Sequence, residues 1–304
     1  MSRLPLRRVF SRIFPAGFGA IFAAAACLAA FAVPAVAESP KENPKSAACV
    51  PSTFRVMLDV GHTAAVPGAL SARGVPEYSF NMQLTDAIKQ ALVEAGFDQT
   101  IKLITTAPPW RGLLERAVRA NNAHADLFIA IHHDAVPDAL AETWEYEGKK
   151  QQYSDRFSGY SIFVSNDNGD RAGSQAFGHL LGQELQKQGL HYTPHYTLPI
   201  MKRYRHDLID SEAGVYGYDH LVVLRYTHMP AVLLEAGSIV NRQEELDLGT
   251  PERRQAIAKA VTATVTDFCA ARAKDGVRQA KASTSSKAAT MAAPAPHWRA
   301  KRRI

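Results

Sequence analysis

The body of this 304-residue chain lacks a net positive charge, although the whole sequence carries a net charge of +6. Residues 1–37 contribute +4 and residues 274–304 contribute +7, which leaves −5 for residues 38–273. An acidic body with a basic tail argues against a nucleic-acid-binding domain, whose footprint is a clustered basic surface. The tail is rich in alanine, serine, lysine and proline. This composition predicts a basic disordered tail over residues 274–304.

Long apolar runs are confined to the N-terminus, so we expect no stable membrane span in the mature chain. Four arginines and no acid precede an apolar stretch that ends in Ala-Val-Ala at positions 35–37. A basic start, an apolar middle and a small-x-small end indicate a cleaved signal peptide. We therefore predict a signal peptide at residues 1–37, a linker at residues 38–51, and a periplasmic or secreted protein. An uncleaved membrane anchor and lipidation at Cys27 are the alternatives.

Cysteine is also scarce, with three residues in the whole chain, of which Cys27 lies in the predicted signal peptide. Cleavage leaves Cys49 and Cys269, which allow a single disulfide. An exported chain folds in an oxidising compartment, and this favours a Cys49–Cys269 bond over two unpaired buried thiols.

Strand-like and helix-like segments alternate through residues 52–273, without internal repeats. The strand-like segments are "FRVMLDV", "IKLIT", "DLFIAIH", "YSIFVS" and "AVLLEAG". Helical spacing of apolar residues marks residues 77–96, 111–125, 174–189 and about 251–272. Such alternation predicts a single three-layer α/β/α catalytic domain with a largely parallel sheet. Functional sites in these sheets gather beyond the carboxyl ends of the strands.

Acidic and imidazole side chains stand at several of these strand ends. His62 follows the first strand, Glu77 begins the first long helix, and His132 ends the central strand. Two histidines and one glutamate form a known ligand set for catalytic zinc, which keeps one position open for water. Glu235 closes the strand "AVLLE", and a strand-end glutamate beside a metal suits general acid/base work.

From spacing alone, ordinary structural roles are the commoner explanation of the same residues. His62 would cap a turn, Glu77 would complement the helix dipole, and His132 would be a satisfied buried imidazole. His133 follows His132 directly, so strand alternation turns the two side chains to opposite faces.

Three stretches together resemble a known family. They are "VMLDVGHTAAVPGALSARGVPEYSFNMQL", "LLERAVRANNAHADLFIAIHHDA" and "VLRYTHMPAVLLEAGSIVNRQEE". In this order they are similar to the zinc-dependent N-acetylmuramoyl-L-alanine amidases of the amidase-3 type, over roughly residues 54–270. The resemblance implies that His62, Glu77 and His132 bind zinc. It also implies that Glu235 is the catalytic acid/base.

The implied activity is hydrolysis of the amide between N-acetylmuramic acid and L-alanine in peptidoglycan during cell-wall remodelling. A zinc peptidase acting within the stem peptide, or a non-catalytic peptidoglycan-binding protein on the same fold, are the alternatives. Thr63 and Ala64 stand where the family has two glycines, which puts the substrate preference in question.

The resemblance also suggests roles for Arg225 and for the insertion at residues 136–159. Arg225 matches an arginine close to the family's site, and either binds substrate or forms a structural ion pair. Residues 136–159 form an insertion, which in some related amidases is a helix covering the zinc site until an activator protein removes it. We expect a helix here that begins at Asp138 and brings Glu142 or Glu145 to the metal. The alternative is that the insertion is a solvated surface segment that does not affect the catalytic rate.

A loop rich in tyrosine and histidine lies at residues 189–207. It includes His191, His195 and His206. Such a loop either lines a glycan groove or is an ordinary surface loop.

Overall fold

The computed structural model describes residues 49–291, which form nine strands and six α-helices. The strands are β1 Val56–Val60, β2 Ile101–Leu103, β3 Leu127–Asp134, β4 Glu142–Tyr146, β5 Lys149–Tyr153, β6 Ser161–Val164, β7 Asp207–Asp210, β8 Val215–Gly217 and β9 Ala231–Ser238. The helices are α1 Glu77–Glu94, α2 Pro109–Asn122, α3 Arg171–Lys187, α4 Val222–Arg225, α5 Glu244–Leu248 and α6 Pro251–Met291.

A seven-stranded sheet runs through the centre in the order β2-β1-β3-β9-β6-β8-β7. The pairings of β1 with β2, of β1 with β3, of β3 with β9 and of β6 with β8 are parallel. The pairings of β6 with β9 and of β7 with β8 are antiparallel. β3 is apolar on both faces because helices cover both, as is typical of parallel sheets.

Helices cover both faces of this sheet. On one face, α1, α3 and α6 contribute apolar side chains such as Leu84, Phe177 and Val261 to one core. On the other face, α2 and α4 contribute Ala120 and Leu224 to a second core. The predicted three-layer α/β/α fold with a largely parallel sheet is therefore confirmed.

The disulfide predicted between Cys49 and Cys269 is present, with a Cα–Cα distance of 5.3 Å. It joins the start of the described chain to α6, across a sequence separation of 220 residues. Both cysteines pack against the core on the α1 face.

The C-terminal helix differs from the sequence prediction. α6 continues to Met291, so residues 274–291 are helical, and the predicted disorder of this stretch is wrong. Alanine, lysine, glutamine and arginine in this stretch are strong helix formers, and extending an existing helix avoids the cost of nucleation. The predicted signal peptide, the linker up to residue 48, and residues 292–304 lie outside the described residues. Between residues 49 and 291, no helix combines the length and the apolarity that crossing a bilayer requires.

Candidate metal centre and active site

Two imidazoles and one carboxylate meet at the carboxyl end of the sheet. The His62 Nε2 atom lies 2.8 Å from Glu77 Oε2, and the His132 Nδ1 atom lies 3.0 Å from Glu77 Oε1. One ligand atom from each residue lies within 4.8 Å of the others. We call these three residues the His–Glu–His cluster. Its donors are the nitrogen and oxygen ligands that zinc accepts in catalytic sites.

The topology of the sheet brings the cluster together. β1 and β3 are parallel neighbours with Val60 opposite Ile131, so His62 and His132 leave the same edge of the sheet. Glu77 is the first residue of α1, where the helix dipole favours a negative charge. Gly61 has no room for a side chain, because a Cβ atom there would lie 2.5 Å from the ring of His132.

Hydrogen bonds fix the carboxylate of Glu77 from several directions. Its Oε1 atom accepts bonds from Asn81 Nδ2 at 3.1 Å and from the backbone N–H of His133 at 3.3 Å. Its Oε2 atom accepts one from the backbone N–H of Ala69 at 3.3 Å. Burial opposes the ionisation of Glu77, but hydrogen bonds from His132 and His62 outweigh it and hold the pKa of this carboxyl well below its usual range.

His133 lies on the opposite face from His132, as strand alternation predicts. Its Nδ1 atom is 2.7 Å from Asn81 Oδ1 in α1, and its ring lies against Phe80. Burial lowers the pKa of His133 to about 3, so this imidazole stays neutral under ordinary conditions. It therefore supports Asn81, which in turn holds Glu77.

A buried arginine that the sequence reasoning did not single out supports His62. The guanidinium of Arg116 in α2 donates hydrogen bonds to Asp59 and to the carbonyl oxygens of Val60 and His62. His62 has a φ of 65°, in the left-handed region that non-glycine residues seldom adopt. Burial raises the pKa of Asp59 to about 6, and the charge of Arg116 opposes that rise. Arg116 lies within the stretch "LLERAVRANNAHADLFIAIHHDA" that carries the family resemblance, but the local pattern does not show these contacts.

Glu235 lies beside the cluster, in β9 opposite His132. Its Oε2 atom is buried and has no hydrogen-bond partner among the described residues. Burial and the negative charges of Asp134 and Glu77 raise the pKa of Glu235 well above its usual range. A carboxyl in such surroundings is suited to holding and releasing a proton.

A buried polar group lies close to Glu235, formed by Asp134, His195 and Tyr196. The Tyr196 hydroxyl donates to Asp134 Oδ1 at 2.7 Å, while His195 Nε2 lies 3.8 Å from Asp134 Oδ2. Burial raises the pKa of Asp134 to about 7 and lowers the pKa of His195 to about 4. His195 is only 2% exposed, so it is a core residue and does not line a surface groove.

Arg225 is exposed at the end of α4, and its Nη2 atom lies 3.1 Å from Asp167 Oδ2. Its guanidinium also lies 5.9 Å from the centroid of the Tyr226 ring. These contacts correspond to the alternative of a structural ion pair. A role in substrate binding stays a prediction.

The insertion after β3 is not a helix, so this prediction is wrong. A short 3₁₀ turn at Asp138–Leu140 leads into the antiparallel hairpin β4–β5. Glu147 and Gly148 form its turn, with φ values of 52° and 73°. Positive φ at both central residues is the geometry of a tight two-residue hairpin turn. The alternation of Trp144 and Tyr146 with polar residues was the missed strand signal.

The glutamates of the hairpin do not join the cluster. Glu142 accepts a hydrogen bond from Tyr153 at 2.9 Å, and Glu145 stands opposite Lys150 in the hairpin. The hairpin instead contacts the loop before α1, because Trp144 Nε1 donates to the carbonyl of Ala72 at 2.8 Å. The expectation that Glu142 or Glu145 reaches the metal is therefore wrong.

Comparison with known proteins adds to this geometry. The model of the family described as N-acetylmuramoyl-L-alanine amidase (Amidase_3) matches residues 56–267. Amidase AmiA of Salmonella typhimurium is 28% identical over 217 residues, covering 68% of this chain and 73% of the relative. AmiA of Escherichia coli is 27% identical over 224 residues, covering 70% of this chain and 75% of the relative.

Solved structures share the fold. The amidase Ami1 of Mycobacterium smegmatis superposes with a TM-score of 0.54 at 19% identity, covering 71% of this chain and 97% of that one. The CwlD amidase of Clostridioides difficile, solved in complex with the GerS lipoprotein, superposes with a TM-score of 0.51 at 18% identity, covering 71% of this chain and 98% of that one.

Proposed function

Because this chain belongs to the N-acetylmuramoyl-L-alanine amidase family, we propose that its His–Glu–His cluster binds zinc and that Glu235 carries the proton transfers of amide hydrolysis. The chain is an N-acetylmuramoyl-L-alanine amidase, which hydrolyses the amide between N-acetylmuramic acid and L-alanine in peptidoglycan. The observation that carries the zinc proposal is the convergence of two imidazole nitrogens and a carboxylate within 4.8 Å.

The donor set fits zinc better than harder cations. Imidazole nitrogen suits zinc, whereas magnesium and calcium prefer oxygen ligands. Three protein ligands also leave the open fourth position of catalytic zinc sites. Asn81, His133 and the backbone of Ala69 hold Glu77 in place, as outer partners commonly do for metal ligands.

A bound zinc ion supplies a Lewis acid that polarises the scissile carbonyl and lowers the pKa of water. Glu235 takes a proton from the attacking water and delivers it to the nitrogen of the leaving L-alanine. The pairing of Glu235 with His132 in the sheet supports this role. Its raised pKa favours the protonated form that the second of these steps requires.

The protein is exported in this proposal. Residues 1–37 are the signal peptide, residues 38–51 a linker, and residues 52–273 the catalytic domain. The Cys49–Cys269 disulfide supports a periplasmic or secreted location, because disulfides persist in oxidising compartments. The substrate lies in the same compartment, since the family acts on cell-wall peptidoglycan.

Interaction with an activator protein is a further part of the proposal. The CwlD amidase, which shares this fold, was solved in complex with a lipoprotein, and this supports the proposal. A covering helix such as the sequence predicted is replaced here by the hairpin β4–β5.

Mass spectrometry of peptidoglycan digested by the purified protein tests the proposal. We expect release of intact stem peptides with a free L-alanine amine, loss of release with a chelator, and recovery with zinc. His62→Ala and His132→Ala should lose zinc, whereas His179→Ala, which removes an imidazole paired with Asp210, should keep it. Cleavage within the stem would identify a peptidase, and binding without products would identify a binding protein. Either result contradicts the proposal.

A further inference from the structure

Trp110 lies in the first turn of α2 and is 64% exposed, the largest exposed fraction among the large apolar side chains of the described residues. Among those residues, no hydrogen bond, ring contact or cation contact involves its indole. Exposing the apolar face of an indole to water is unfavourable, and a ligand that covers this face removes the cost. The ring is therefore available to a binding partner.

Trp144 in β4 shows what a tryptophan with a structural role looks like in the same chain. Its indole Nε1 atom donates to the carbonyl of Ala72 at 2.8 Å. Its ring stacks on that of Tyr146 at 5.3 Å between centroids, and the guanidinium of Arg242 lies 5.1 Å from its centroid. Trp144 is thus held by the fold on several sides, whereas Trp110 presents its ring to solvent.

The surface around Trp110 is continuous with the candidate active site. α2 supplies Gly112 and Leu113 to the wall of a cavity that His62 and His132 also line. Leu113 is 36% exposed, so part of its side chain reaches the outer surface. Trp110 precedes Leu113 by three residues, which places their Cβ atoms about 5–6 Å apart on one face of the helix. An apolar surface therefore leads from the cavity over Leu113 to Trp110.

Arg111 adds hydrogen-bond donors next to this ring. Its side chain is exposed and forms no ion pair with any described residue. A pyranose sugar has an apolar face of C–H groups and a rim of hydroxyl groups. The indole of Trp110 matches the face, and the guanidinium of Arg111 can donate to the rim.

The helix that carries Trp110 is fixed to the body of the protein. Arg116 donates hydrogen bonds to Asp59 and to the carbonyl of Val60 in β1. Asn121 Nδ2 in the last turn donates to the carbonyl of Tyr226 at 2.9 Å. A ring on a fixed helix needs little ordering when a ligand binds, which favours affinity.

The nature of the substrate identifies the occupant, and this step rests on the proposed function. The stem peptide that the enzyme releases is attached to a glycan strand, in which further sugars flank the muramoyl residue. When the scissile amide lies at the His–Glu–His cluster, these flanking sugars extend over the surface next to the site. The surface at Trp110 and Arg111 adjoins the site and has the chemistry that a sugar ring requires.

We propose that Trp110 stacks on a flanking sugar of the glycan strand, with Arg111 donating hydrogen bonds to its hydroxyl groups. This contact lies outside the cavity, because neither residue lines it. It makes the enzyme favour long glycan strands over single disaccharide units. Trp110 is then a determinant of specificity for the polymer and has no part in the chemical step.

Nuclear magnetic resonance of the indole N–H groups tests the contact without any hydrolysis. The probe is a peptide-free octasaccharide of alternating N-acetylglucosamine and N-acetylmuramic acid, added to the 15N-labelled wild type. Loss of one indole signal in Trp110→Tyr assigns the signal of Trp110. We expect this signal to shift as the octasaccharide is added, while the signal of Trp144 stays in place because its N–H is bonded to Ala72.

Kinetics on two substrates measure the effect on specificity. Octasaccharides and disaccharides, both carrying stem peptides, are hydrolysed by the zinc-loaded enzyme. We expect the ratio of kcat/KM between octasaccharide and disaccharide to be about 2- to 10-fold lower in Trp110→Ala than in wild type. Trp110→Tyr keeps an aromatic face and should retain most of the ratio.

Tyr226→Ala is the matched control for removing an exposed aromatic ring. Tyr226 is 50% exposed, does not line the cavity, and contacts the last turn of α2. This turn lies about 16 Å along the helix from Trp110. The ratio of the control should equal that of the wild type. Zinc content and circular dichroism of each variant identify any loss of metal or fold.

An unchanged indole signal of Trp110 in the presence of the octasaccharide overturns the inference. Equal ratios in Trp110→Ala and wild type also overturn it. Sedimentation of both proteins tests another occupant, since a wild-type dimer that Trp110→Ala dissociates would assign the ring to a second copy of the chain. If the zinc-loaded wild type releases stem peptides from neither substrate, the proposed function is refuted, whereas the indole signal with peptide-free strands still decides the inference.

Discussion

The guanidinium of Arg116 donates a hydrogen bond to the backbone carbonyl of His62. His62 is thus held by its main chain in a left-handed conformation while its ring nitrogen faces Glu77. A strained backbone of this kind persists only where surrounding contacts enforce it. Arg116 therefore connects the buried Asp59 of β1 to the backbone of this candidate ligand.

Arg116→Met should destabilise the fold and weaken metal binding. It leaves Asp59 as an unpaired buried charge, which costs about 3–5 kcal/mol of unfolding free energy. Urea unfolding and zinc titration measure the two effects. Arg119→Met is the control on the same helix, because Arg119 is exposed and pairs with Glu115 at 3.4 Å. Equal stability and zinc affinity in the two variants would remove the role assigned to Arg116.

The hairpin β4–β5 should brace the loop that leads to Glu77. Trp144→Ala removes the hydrogen bond to Ala72 and the ring that lies 5.4 Å from the Arg73 guanidinium. We expect a loss of about 2 kcal/mol in stability and a lower activity on purified peptidoglycan. Thr143→Ala, on the exposed face of the hairpin, should change neither. A rise in basal activity of Trp144→Ala would instead restore the idea that the insertion covers the site.

The Cys49–Cys269 bond should stabilise the fold without affecting the metal centre. It closes a loop across 220 residues, and such a bond contributes up to about 4 kcal/mol by restricting the unfolded chain. The double variant Cys49→Ser/Cys269→Ser should unfold at a lower temperature and keep its zinc. Peptide mapping without reduction checks the bond itself. An unchanged melting temperature would show that the bond contributes nothing to stability.

His195 should make stability depend on pH between about 6.5 and 4. Burial lowers the pKa of His195 from 6.5 to about 4. Between these two pH values, His195 binds a proton in the unfolded state but not in the folded state. Stability therefore falls as the pH falls through this window. His195→Phe keeps the ring contacts with Phe157 and Tyr196 and removes the titrating group.

Denaturant unfolding of His195→Phe and wild type at about pH 7 and pH 5 measures this effect. The variant should lose less stability on acidification, by about 1–2 kcal/mol. Asp134 and His206 face His195 and are present in both proteins, so His195 is the titrating group that the substitution removes. Tyr196 also faces His195, but its raised pKa keeps it protonated at both pH values. Parallel losses in the two proteins would show that another group is responsible.

The residues of the His–Glu–His cluster were noticed in the sequence because they stand at the ends of strands or at a helix start, but their assignment as a ligand set came from the family resemblance. Strand alternation likewise separated His132 from His133. The role of Arg116 was not predictable from local pattern, since its partners lie more than fifty residues away in the chain. The hydrogen bond from Tyr196 to Asp134 was not predictable from local pattern either, because the two residues are 62 positions apart in the sequence.

The insertion was misjudged for a local reason. Its composition of alanine, glutamate, lysine and glutamine favours a helix, and Gly148 was treated as an exception within it. Gly148 instead supplies the turn, and the half-buried Trp144, Tyr146, Gln151 and Tyr153 alternate with exposed polar residues. Packing of that face against Arg73 and Arg242 outweighs the helix propensity.

The central claim is that Glu235 moves protons while three other residues hold the metal. Zinc content and turnover on peptidoglycan, measured on the same preparation of Glu235→Gln, test it most directly. The substitution keeps the size of the side chain and removes its capacity to accept a proton. We predict one zinc per chain and a loss of turnover of about 10²-fold or more. Near-normal turnover with full zinc would contradict the account, and so would loss of the metal from this variant.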